Sequence, residues 1–124
     1  MIRDPFNPKF VFTAPVVSDE PMVSYVERAI VAWNRENGID AASVTVTHDA
    51  AVEILGTCLG DSVRVDLWVE ELEDKACVYG FTCSSEDGVV PYARGEETVT
   101  SRGAWSAAFR HTHEMLMKDL PAFA

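Results

Sequence analysis

Cations are what this chain has least of. Across 124 residues, ten lysines and arginines face twenty aspartates and glutamates, for a formal net charge of −10, and no basic cluster forms. A protein that gains affinity for nucleic acid by displacing counterions cannot work with that balance, so direct nucleic-acid binding is not expected. Cysteine is scarce too. Cys58, Cys77 and Cys83 make an odd count with no Cys-x-x-Cys pair, which argues against a disulfide framework or a zinc knuckle and for free, buried thiols. Gly56, Gly60, Gly80, Gly88, Gly95 and Gly103 never fall into a Walker or dinucleotide pattern, so no nucleotide loop is present. No apolar run approaches the roughly 20 residues of a spanning helix, and no membrane association is expected. Met1 to Pro5 lacks the basic start and apolar stretch of a signal peptide, which makes the cytoplasm the expected compartment.

What is present is an ordinary globular composition, 48% hydrophobic and 10% aromatic, in a chain of single-domain length able to bury a core without staples. No repeat, low-complexity tract or Gly/Ser-rich linker divides it. Residues 1–17 carry Pro5, Pro8 and Pro15 around Phe10 to Thr13 and read as an extended arm with one short strand that adds an edge to a sheet. Ser18 and Asp19 supply cap chemistry, and Met22, Val23, Val26, Ala29, Ile30 and Trp33 recur at helical spacing up to Gly38. Ser43 to His48 suggests a strand. Residues 49–59 fit a short helical stripe through Ala50, Ala51, Ile54, Leu55, Cys58 and Leu59.

From Ser62 the alternation is cleaner: Val63, Val65, Leu67 and Val69 point one way, and Arg64, Asp66, Trp68 and Glu70 the other. Strands over 76–83, 89–92 and 96–100 follow, separated by Glu73-Asp74-Lys75, by Ser84 to Gly88, and by the Pro91 and Gly95 interruptions. Ser101 is placed to cap a last helix carrying Trp105, Ala108, Phe109, Thr112, Leu116 and Leu120, with Pro121 ending it. The expected architecture is one α+β domain, 1–124: an antiparallel β-meander with two main helices packed on one face. The order helix, three strands, helix resembles double-stranded-RNA-binding domains, but the charge has the wrong sign for that role.

Candidate chemistry is thin. His111 and His113 are two apart, so on a helix they project about 200° from each other and cannot close on one ion. Helix-surface histidines, no metal and no cofactor are expected. A Cys58 or Cys83 triad with a histidine, or paired carboxylates such as Glu70-Glu71 and Glu96-Glu97, has no supporting spacing. A pocket between helices and sheet, lined by Trp33, Tyr79, Trp105 and His111, is the enzyme or ligand-binding alternative.

The remaining feature is charge placement. Twelve carboxylates fall between Asp49 and Glu97, against Arg64, Lys75 and Arg94. If the valine stripe faces the helices, Asp66, Trp68, Glu70, Glu71, Glu73, Asp74, Glu86 and Asp87 form an acidic outer face with an exposed aromatic anchor, suited to a partner protein with a basic surface. The expectation is a non-enzymatic inhibitor or adaptor. In size, charge and lack of motifs it resembles phosphate-mimicking phage inhibitors of defence nucleases, anti-CRISPR proteins among them. A homodimeric chaperone or scaffold is the other alternative, with the acid serving only solubility.

Overall fold

The valine stripe sets the architecture. Val63, Val65, Leu67 and Val69 lie on β3 (Ser62–Leu72), all essentially closed to solvent. Each contributes roughly 1.5–3 kcal/mol relative to an exposed side chain. Its neighbours are β4 (Ala76–Ser84), which buries Cys77, Tyr79, Phe81 and Cys83 on the same side, and β1 (Phe10–Pro15). The computed structural model describes residues 8–40 and 45–117. Within them the strands form one antiparallel five-stranded sheet of order β1-β3-β4-β5-β2, with β5 spanning Pro91–Ser101 and β2 spanning Thr45–Ile54.

The helix α1 (Met22–Glu36) joins the two edge strands β1 and β2. It turns Tyr25, Val26, Ala29, Ile30, Trp33 and Asn34 onto the sheet, mainly over β1, β3 and β4. The helix-side surface of β2 stays open, with residues 47–54 exposed. A shorter helix, α2 (Ala107–Glu114), packs on β3 and buries Phe109, Thr112 and His113. The expected single α+β domain, with its antiparallel sheet and two helices, is what forms.

Several boundaries differ from the sequence reading. The expected helix over 49–59 is instead the second half of β2: Ala50, Val52 and Ile54 alternate with Asp49, Ala51 and Glu53, and pairing to β5 from Thr45 to Ile54 outweighs the weak helical stripe. The strand expected from Ser43 begins at Thr45 in the described residues; 43 and 44 lie outside them. The two strands expected over 89–92 and 96–100 are one, because Gly95 does not interrupt β5 but lets β2 come close. Neither Ser18 nor Asp19 caps α1. The N-cap is Pro21 without a side-chain cap bond, and Asp19 has φ 65° in the turn before it. Ser101 ends β5, and Ser106 caps α2 by accepting from the Phe109 N–H. Leu120 and Pro121 lie outside the described residues.

Candidate functional site

On the outer face of the sheet the predicted acidic surface breaks up. Asp66 is 7% exposed and accepts from Lys9 at 3.2 Å and from Arg64 at 2.7 Å. Its charge is therefore matched. Trp68 is half-buried; it lies against Gly80 and donates its indole N–H to Glu70. Glu71 and Glu73 are exposed, and Asp74 pairs with Arg110 at 3.1 Å. Glu86 and Asp87 occupy the β4–β5 turn, where Asp87 accepts from Ser85 Oγ and the Val89 N–H, which hold its carboxyl low. The Glu73–Asp74 and Glu86–Asp87 turns lie at opposite ends of nine-residue β4, roughly 30 Å apart. The structure brings Asp66, Trp68 and Glu70 together and separates the rest.

The inner side holds the more unusual chemistry. Glu97 of β5 faces the helices, in register between Tyr79 of β4 and Ala50 of β2, and is fully buried. Its Oε2 lies 3.3 Å from Nδ1 of His48 on β2, while Oε1 has no partner. Burial raises the carboxyl pKa, the His48 hydrogen bond lowers it, and the charge of Glu27 raises it further; the net shift is upward. His48 is placed differently. Its side chain is 46% exposed, and Nε2 makes no hydrogen bond among the described residues. With Nδ1–H donating to the carboxylate, Nε2 keeps its lone pair and points away from the anchor. A buried carboxylate thus fixes the tautomer and orientation of a histidine that solvent and ligands can reach.

His48 lines a cavity of about 450 Å³ between the end of α1 and the β4–β5–β2 half of the sheet. Its apolar wall includes Ile30, Ile39, Val99 and Phe109, and its polar groups include Asn34, Arg35, Thr45 and Tyr79. One wall is held by a directional chain of hydrogen bonds. The Phe109 carbonyl can only accept, so His113 Nδ1 donates to it at 2.8 Å; Nε2 then accepts the Tyr79 hydroxyl at 2.6 Å. Asn34 donates Nδ2–H to the Ile30 carbonyl at 3.0 Å. Phe109 is stacked on both faces, 4.0 Å from Trp105 and 3.7 Å from His113.

The expected pocket wall is therefore corrected. Tyr79 is in it, whereas Trp33 and Trp105 are core and His111 is exposed elsewhere. His113, expected on a helix surface, is fully buried. Burial also pushes the Cys77 and Cys83 thiols up to about 12, so neither is a nucleophile at neutral pH. No cluster of three metal-ligating side chains occurs among the described residues, and no helix among them is long and apolar enough to cross a membrane.

Burial pulls the His113 pKa down to about 4. A histidine with a depressed folded pKa leaves the unfolded chain binding more protons, so stability falls as pH drops from the ordinary value of 6.5 toward 4. Between pH 7 and pH 5 this costs about 2 kcal/mol. Urea titrations of the wild type and of His113→Gln at both pH values check it. The variant loses less stability across that interval.

The strand order, with one long helix against a five-stranded antiparallel sheet, is an α+β hotdog-like fold. Among solved structures the chain superposes on the PA5185 protein from Pseudomonas aeruginosa with a TM-score of 0.77 at 13% identity, covering 90% of this chain and 94% of that one. A 1,4-dihydroxy-2-naphthoyl-CoA thioesterase from Synechocystis gives 0.69 at 10% identity, covering 84% and 94%. A gentisyl-coenzyme A thioesterase gives 0.71 at 16%, covering 85% and 99%. Neither a protein-family model nor a curated protein matches the sequence. At these identities the likeness is one of fold. It overturns the expectation of a non-enzymatic, nucleic-acid-mimicking inhibitor or adaptor of the anti-CRISPR kind: the architecture is shared with structures named as thioesterases. Sequence reasoning missed His48 and Glu97 because they are 49 residues apart and join only through the β2–β5 register.

Proposed function

We propose that this protein hydrolyses acyl thioesters, with His48 as general base and Glu97 as the group that orients it. The observation that carries this reading is the Glu97–His48 pair, a buried carboxylate on Nδ1 that leaves Nε2 open at a ligand-sized cavity. The shared fold supports it, since two of the matched structures are named as thioesterases of aryl-CoA substrates. In the reaction, His48 Nε2 takes a proton from water as the water oxygen adds to the thioester carbonyl. The tetrahedral intermediate then collapses, the C–S bond breaks, and the thiolate leaves with the proton from His48. One water is consumed, and a carboxylic acid and a free thiol are released. Free cysteines fit a reducing, cytoplasmic setting. The test is thiol release from a panel of aromatic and aliphatic acyl-CoA thioesters. Turnover above the spontaneous rate supports the reading, and none with any member overturns it.

A second copy of the chain belongs to this reading. Among the described residues β2 pairs with β5 alone and its other edge is open, with Val52 and Ile54 exposed. Unpaired strand edges of this kind recruit another strand. Light scattering is expected to give twice the chain mass, and Val52→Lys to shift it toward the monomer.

A further inference from the structure

Arg35 differs from most of the cations among the described residues. Lys9, Arg28, Arg64, Arg94 and Arg110 each hold a carboxylate. The Arg35 guanidinium makes no ion pair or hydrogen bond among the described residues. Lys75 and Arg102 make no ion pair among the described residues either, but neither lines the cavity, whereas Arg35 does. The sequence gives it no local partner, because the positions three and four away are Val31, Ala32, Gly38 and Ile39. Asp40 also lines the cavity and has an interaction of its own. Phe109 adds to the sign of the site. Its two faces are covered by Trp105 and His113, so it has only its electropositive ring edge to offer the cavity.

We propose that Arg35 sets substrate specificity by binding an anionic oxygen group of the thioester, while His48 works on the carbonyl in the same cavity; this rests on the thioesterase reading above. Arg35 and His48 line the same cavity of about 450 Å³, so one thioester ligand can meet both side chains. Planar, bidentate recognition of a carboxylate or a phosphate is what a guanidinium does better than an ammonium. Two sources carry such a group: a carboxylate on the acyl chain, or a phosphate on the thiol. A cation in the last turn of α1 also complements the helix dipole, and lysine fills that role equally well.

The experiment uses wild type, Arg35→Lys and Arg35→Gln against glutaryl and valeryl thioesters of both coenzyme A and N-acetylcysteamine. If the acyl carboxylate is read, glutaryl exceeds valeryl in kcat/KM by 10-fold or more on both thiols. Arg35→Gln erases that preference, and Arg35→Lys only weakens it. If the phosphate is read, the preference for coenzyme A over N-acetylcysteamine is what Arg35→Gln erases. If all four are hydrolysed and neither preference moves in Arg35→Gln, the anion-binding role is overturned while the hydrolase reading stands. If none is hydrolysed, the hydrolase reading fails separately. Calorimetric titration with glutarate and with 4′-phosphopantetheine then decides the anion site: binding lost in Arg35→Gln supports it, and binding equal in both proteins, or absent from wild type, overturns it.

Discussion

His48→Gln lowers thioester hydrolysis by 10²–10⁴-fold, the usual range for removing a positioned general base, with kcat carrying the loss and KM little changed. The split follows from the role assigned to Nε2, which acts on water in the transition state and contributes little to holding the substrate. Glu97→Gln tests the other half of the pair. An amide oxygen still accepts from Nδ1–H but no longer stabilises the imidazolium that forms as water is deprotonated, so activity falls by about 10²-fold. Stability moves the opposite way. The Glu97 pKa is raised by burial, so the folded protein holds this proton to higher pH than the unfolded chain does. Stability from this group is therefore greatest below the unfolded carboxylate pKa and is lost as pH rises through the folded value. Above that value the glutamine variant is more stable than wild type, because it buries no charge. Activity of the wild type should fall as pH drops through the same raised pKa, because a protonated Glu97 gives up its charge–dipole hold on His48. A variant that loses activity and stability together would mark Glu97 as a structural residue.

The fold was legible where one physical signal dominated. Val63, Val65, Leu67 and Val69 alternate too regularly to be anything but a half-buried strand, and all four are buried. The α1 stripe was equally plain. Residues 49–59 were not, because Ala50, Ala51, Ile54 and Leu55 satisfy helical and strand periods alike, and only the partner strand β5 decides between them. The candidate site depends on that decision. As a helix the segment would have carried the chain away from Glu97; as a strand it sets His48 opposite Val99, two residue pairs from Glu97 and on the same face. Glu97 itself was hidden by its neighbour: adjacent on a strand, Glu96 and Glu97 must point to opposite faces, but only the register shows which of them is sealed beneath the helices.

Charge misled for a related reason. Formal totals count carboxylates but not their partners, and Lys9 and Arg64 at Asp66, Arg94 at Glu53 and Arg110 at Asp74 bring the outer charges toward local balance. Surface pairs of this kind add little stability. They do change what a partner meets: exposed acids lie in the turns at the two ends of the sheet, while the middle of the outer face sets the matched charges of Asp66 and Glu53 beside the exposed Glu96 and a half-buried indole that donates to Glu70.

Gly95→Ala separates β2 from the sheet, at a cost of about 3 kcal/mol or more. A methyl group built at Gly95 meets the Ala51 carbonyl oxygen at 2.0 Å and the Phe81 ring at 3.1 Å. Neither neighbour can give way cheaply: the first is backbone of the paired strand, and the second is a buried ring packed in the core. Gly80 offers the contrast. A methyl there meets the Trp68 indole at 2.3 Å, but that side chain is half-buried on the outer face and can swing, so Gly80→Ala costs about 1 kcal/mol. Because β2 is an edge strand held by β5 alone, the Gly95 clash is relieved most easily by moving β2 outward, and His48 moves with it. Thermal melts are expected to show the larger loss for Gly95→Ala, and thioester turnover to fall even at temperatures where the variant is folded. Near-UV circular dichroism distinguishes this from general unfolding: Trp105 and Tyr79 lie on the far side of β5 from β2, so their signals persist while activity is lost.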